Sequence, residues 1–98
     1  MDYKIIWSPN ALGDIEAIGE FISRDSQFYA ESTAQKIFET PEPLEQQPKL
    51  GRIVPEIGDE SIRELFVFQY RLIYEIHVDE IHILTVIHGK RLLRKEQI

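Results

Sequence analysis

The 98-residue chain predicts an α+β fold, element order β-α-α-β-β-β, with a helical hairpin packed on one face of an antiparallel sheet. Three observations carry that expectation. Two N-terminal stretches space their apolar residues by three and four, two prolines at 41 and 43 stop the second, and residues 70–91 alternate with period two. The whole of 1–98 reads as one domain, with 92–98 a loose tail or one helical turn.

Residues 3–7 (YKIIW) are β-prone and form the first expected strand. Ser8 then Pro9 reads as a helix start, where proline gives up only an N–H that lacks a partner anyway. Leu12, Ile15, Ile18, Gly19 and Ile22 recur on one face, with Asp14, Glu16 and Glu20 off it. An amphipathic helix is therefore expected over residues 9–23, broken by Arg24, Asp25 and Ser26. A second helix starts near Gln27, carries Ala30, Ala34, Ile37 and Phe38 on its stripe, and ends near Glu39 before Pro41. Residues 44–47 leave room for one more turn. Residues 48–61, with two prolines and two glycines, are the main expected loop. Residues 62–67 alternate as a strand, after which Phe68 and Gln69 must turn without glycine or asparagine.

In the run YRLIYEIHVDEIHILTVIHGKR, one alternating set is Tyr70, Leu72, Tyr74, Ile76 and Val78, then Ile81, Ile83, Thr85 and Ile87. The other is Arg71, Ile73, Glu75 and His77, then His82, Leu84, Val86 and His88. A two-residue turn at Asp79 and Glu80 sets Ile76 against Ile83 and Leu72 against Ile87 on an apolar face. On the opposite face it sets His77 against His82 and Arg71 against His88, with Cβ atoms about 5 Å apart. The expected site is thus a guanidinium beside an imidazole, next to Lys90 and Arg91, on a face left for a partner or for water. A slip of one residue moves His88 to the other face.

Composition narrows the classes. There is no cysteine, so neither disulfides nor a thiolate metal site is available. No apolar run approaches the roughly 18 residues of a membrane span, and the N-terminal apolar stretch is short for a signal peptide, so a cytoplasmic protein is expected. The net charge of −6 is uneven: residues 1–48 hold three Lys/Arg against nine Asp/Glu, and residues 49–98 hold eight of each. A protein living on phosphate contacts is usually basic overall, which weighs against direct high-affinity DNA or RNA binding. His77 and His82 with Glu75 make too small a ligand set for zinc, which takes three or four, so no metal or cofactor is expected.

The segments SPNALGDIEAIGEFI, LEQQPKLGRIVPE, SIRELFVFQYRLIYEI and ILTVIHGKR, taken in order over about residues 3–93, resemble the RelE/ParE superfamily, the toxins of type II toxin–antitoxin pairs. The resemblance implies the hairpin-on-sheet fold, an antitoxin that wraps the toxin, and DNA contact only through that antitoxin. It also implies one of two activities. RelE-like members cut mRNA in the ribosomal A site; ParE-like members poison DNA gyrase without cutting. By position, the arginine of the YR pair is Arg71 and the basic residue after the last strand is Arg91. The RelE-type lysines fall at Ile62 and Glu64 and are absent, as is the tail tyrosine. The opening segment is the more ParE-like. Pro41, Pro43 and Gln69, which stands where a glycine usually precedes the YR pair, depart from both branches.

Three readings follow. A growth-inhibiting ParE-like gyrase poison is favoured by the negative charge and the missing lysines. As an endoribonuclease, the chain would use His88 as acid or base and Arg71 and Arg91 on phosphate, with Lys90 and Arg63 in target contact. A non-toxic binding module on the same fold is the third, motivated by the two prolines.

Overall fold

The computed structural model describes residues 2–98. In chain order it contains β1 (Lys4–Trp7), α1 (Pro9–Ser23), α2 (Gln27–Glu39), β2 (Arg52–Ile53), β3 (Ile62–Val67), β4 (Tyr70–Ile76) and β5 (Glu80–His88). Short 3-10 turns lie at Glu42–Glu45 and Lys95–Gln97. The strands form one sheet in the order β1-β5-β4-β3-β2. β1 pairs parallel with β5 while the other pairs are antiparallel, so the sheet is mixed.

The helix signals act as the residues suggest. Ser8 Oγ accepts from the Ala11 N–H at 3.0 Å, and Ser26 Oγ accepts from Tyr29 N–H at 3.2 Å, each satisfying an orphan donor. α2 ends at Thr40, whose hydroxyl donates to the Lys36 carbonyl before Pro41 stops the ladder. The hairpin lays Ala11, Ile15 and Ile37 on Leu72, Tyr74, Ile81 and Ile83 of the sheet. Burying each of these isoleucine and leucine side chains contributes about 1.5–3 kcal/mol before ordering entropy. Among the described residues, no helix is long and apolar enough to cross a membrane.

The other sheet face is not left to solvent. Val54 from the long loop and Leu93 from the tail pack there on Ile62, Ile73 and Ile87 as a second core. The tail is thereby tied down at Leu93, which is buried.

The β4–β5 register departs from expectation twice. His77 N–H donates to the Glu80 carbonyl at 2.8 Å, so the turn residues are Val78 and Asp79, one position early. Ile76 then pairs with Ile81 and Tyr74 with Ile83; the pairing moves by two, and faces are preserved. A bulge follows. Leu84 has no partner, Ile73 pairs with Thr85, and beyond it Arg71 meets Ile87 and Tyr70 meets His88. The expected pairs Leu72–Ile87 and Arg71–His88 do not form, because the extra residue at Leu84 exchanges the faces of everything after it.

α1 holds that bulge open. The freed Leu84 carbonyl accepts from Ser8 Oγ at 3.0 Å and Asn10 Nδ2 at 3.3 Å. Asp14 accepts from the Thr85 hydroxyl at 2.5 Å and the Val86 N–H at 2.9 Å. Edge groups that a continuous ladder would satisfy are satisfied by a helix instead.

Candidate functional site

Arg71 and His88 lie on opposite faces, and the proposed guanidinium–imidazole surface is absent. Arg71 is 4% exposed. Its Nη1 and Nη2 donate to the two Glu56 oxygens at 2.6 and 2.9 Å, and its Nε donates to Glu64 at 2.6 Å. Nη1 also donates to the Arg91 carbonyl at 2.9 Å. Glu64, itself fully buried, takes Arg52 on its other oxygen at 2.5 Å. Hydrogen bonding to Arg71 holds the Glu56 carboxyl down at about 2, with the Leu93 N–H adding to the effect; Glu56 in turn raises Arg71 further. A buried charge must be paired, and this one is paired on every donor direction that a phosphate would need. Glu64 sits where the resemblance would put a lysine, so a carboxylate closes this position.

His88 stands at the far end of the sheet on the helix side. Its ring meets Tyr70 edge-on, with centroids 6.1 Å apart. Lys90 N–H donates to its Nδ1 at 3.2 Å, which leaves Nε2 as the protonated nitrogen of the neutral ring. Arg91 and His88 share a cleft of about 470 Å³ between α1 and the ends of β4 and β5, floored by Ala17, Ile18 and Val86. Of the sequence-derived site residues, these two come together, with Lys90 beside them. Arg63 does not join them. Its Nε donates to Glu60 O at 2.9 Å and its Nη1 to Gly51 O at 3.0 Å, so it holds the long loop.

His82 pairs with Glu75 rather than His77, yet the two imidazoles stack with centroids 3.9 Å apart. Each Nε2 is spent on its own carboxylate, His77 on Glu75 at 3.0 Å and His82 on Glu80 at 2.8 Å. That bond to His82 lowers the Glu80 carboxyl below its ordinary range. No group of three or more His, Asp or Glu among the described residues is placed to hold a metal ion.

Sequence reasoning missed Glu56, Asp14 and Phe21, the last an exposed wall of the cleft that His88 and Arg91 share. Glu56 falls in a turn-rich segment with no periodicity to single it out. Asp14 lies off the apolar stripe of α1, and the one signal for it is its place about a turn and a half after a capping serine.

Comparison with known proteins places this arrangement. A family model described as the ParE toxin of the type II toxin–antitoxin system parDE matches residues 5–93. Toxin RelE2 of Caulobacter vibrioides is 28% identical over 90 residues, covering 91% of this chain and 98% of that protein. Among solved structures, a chain of the chromosomal ParDE TA system from P. aeruginosa superposes with TM-score 0.75 at 22% identity, over 90% of this chain and 97% of that one. A mutant of E. coli toxin RelE in the free state superposes with TM-score 0.66 at 13% identity, over 92% and 86%. The two superpositions establish a shared fold, two helices on a five-stranded mixed sheet. The match over residues 5–93 settles the family: this chain belongs to the ParE toxins, and is a type II toxin–antitoxin toxin of the RelE/ParE superfamily.

Proposed function

We propose that the chain acts in the cytoplasm as a ParE-like poison, by gripping a protein target and not by cutting RNA, and that the family-implied target is DNA gyrase. One observation carries this: the arginine a ribonuclease would place on phosphate is buried under Glu56 and Glu64. In-line RNA cleavage needs a base, an acid and cations converging on one phosphate. Here the imidazole and that guanidinium are on opposite faces of β4 and β5. The net charge of −6 adds a repulsive field toward polyanions. The cognate antitoxin is the neutralising partner.

The test is a supercoiling assay with purified gyrase, in which the chain stalls cleavage complexes. A parallel assay offers ribosome-bound mRNA. Cleaved mRNA that disappears with His88→Ala, with gyrase unaffected at saturating toxin, would refute the reading. Normal growth on induction in bacteria, with gyrase and mRNA both untouched, would instead favour the binding-module alternative.

A further inference from the structure

We propose that the cleft between α1 and the ends of β4 and β5 is the docking site for an acidic segment of the antitoxin, one that sets an aliphatic or aromatic side chain beside an aspartate or glutamate. The inference rests on the toxin reading above and adds the surface and the chemistry of its occupant. The floor is apolar, formed by Ala17, Ile18 and Val86, and the cleft volume of about 470 Å³ leaves room for a large side chain. Phe21 walls one side and is 66% exposed, so its ring is open to a partner seated in the cleft.

The rim sets the sign of the partner. The chain carries −6 overall, yet cations stand around this cleft. Arg91 lines the cleft, Lys90 is adjacent, and the Arg24 guanidinium lies 5.9 Å over the Phe21 ring. Neither Lys90 nor Arg91 has a carboxylate partner among the described residues. His88 presents Nε2–H as a further donor, because Lys90 N–H occupies Nδ1. The one carboxylate in the lining, Asp14, is already spent on Thr85 and Val86. Glu16 and Glu20 line a separate groove, between α1 and α2, and face away.

The cleft is also pre-organised, which lowers the entropy lost on binding. Gly89 N–H donates to the Gln69 carbonyl at 2.7 Å and closes its end; a Cβ at Gly89 would come within 3.0 Å of that oxygen. Arg71 Nη1 grips the Arg91 carbonyl at 2.9 Å, so the buried ion network on one face positions a guanidinium that serves the other.

A random heptapeptide library displayed on phage is selected against the full chain, and the enriched peptides are titrated by calorimetry. Peptides with Asp or Glu within two residues of Phe, Trp, Leu or Ile are expected. Ala17→Trp, which fills the floor from an exposed position, and Arg91→Glu should each weaken them about tenfold or more, the scale of one lost buried anchor or charge-assisted contact. Replacing the peptide's acid by lysine should restore binding to Arg91→Glu, a rescue that a misfolded variant could not give. The purified product of the cognate antitoxin gene should displace the peptides. Basic peptides, binding untouched by both substitutions, or simultaneous occupancy by that product would each overturn the proposal. Gyrase stalling by the unsubstituted chain is scored alongside; its absence sinks the functional reading without touching the peptide result.

Discussion

Replacing Glu56 by glutamine isolates the ion network that removes Arg71 from chemistry. Glu56 accepts both prongs of the Arg71 fork and the Leu93 N–H at 2.9 Å, so one side chain ties the long loop, β4 and the tail together. Its carboxyl falls from 4.5 to about 2 in the fold. The folded value is the lower, so the stabilisation is complete above about pH 4.5 and is lost as pH falls towards 2. A displacement of that size corresponds to roughly 3 kcal/mol. The side chain keeps 19% exposure and the pair is partly screened, so a net contribution of about 1–2 kcal/mol is expected at pH 7. With a urea slope of about 1–1.5 kcal/mol per molar for a domain of this size, the midpoint of Glu56→Gln should drop by roughly 1 M. The measurement is urea unfolding followed by circular dichroism at pH 7, 5 and 3. The gap between the two proteins should shrink with acidification, since the other carboxylates are common to both. Equal midpoints at pH 7, or a gap that stays constant down to pH 3, would refute the network as described.

Three further substitutions test the supports around it. Asp14→Ala strips the Thr85 hydroxyl and Val86 N–H of their acceptor, so thermal unfolding should report a loss of about 1–3 kcal/mol; an unchanged melting temperature would mean the bulge holds itself. Gly51→Ala would put a Cβ 2.5 Å from the Glu64 carbonyl and 2.8 Å from the Tyr74 hydroxyl that Gly51 N–H uses, and should lose about 2 kcal/mol in urea unfolding. Phe68 turns between β3 and β4 at φ 53 with its ring 69% exposed. Phe68→Gly should therefore be neutral or raise stability by about 0.5 kcal/mol by calorimetry, whereas a clear loss would show that the ring packs on something.

Much of the architecture was legible because its signals are local. Ser8, Pro9 and Pro41 act within one helical turn of themselves, and the helices run Pro9–Ser23 and Gln27–Glu39 as their stripes suggested. β3 likewise runs Ile62–Val67. The loop around Glu56 was opaque for the opposite reason. Its meaning depends on Arg71 and Leu93, 15 and 37 residues further on, and no periodicity in a turn-rich segment points at partners so distant. The parallel pairing of β1 with β5 is equally non-local, since it joins Ile5 to Ile81 across the whole chain.

The candidate site failed at one residue, and the reason is specific. Period-two reading assigns a face only where one face is apolar and the other polar. Up to Ile83 that holds, which is why moving the turn to Val78 and Asp79 left the faces intact. From Leu84 onward the sequence is Leu-Thr-Val-Ile, apolar in both alternating sets, and both faces there are buried. Val86 packs toward the helices, while Ile87 packs with Val54 and Leu93. Hydrophobicity therefore carries no register information at the point where the register changes. What decides it is polar and lies more than 70 residues away: Ser8, Asn10 and Asp14 line the start of α1 and satisfy the edge that β1 no longer covers after Trp7. A bulge at Leu84 is the arrangement that presents its carbonyl to Ser8 and Asn10 and the Val86 N–H to Asp14. His88 is carried to the helix side as a consequence, into the cleft beside Arg91.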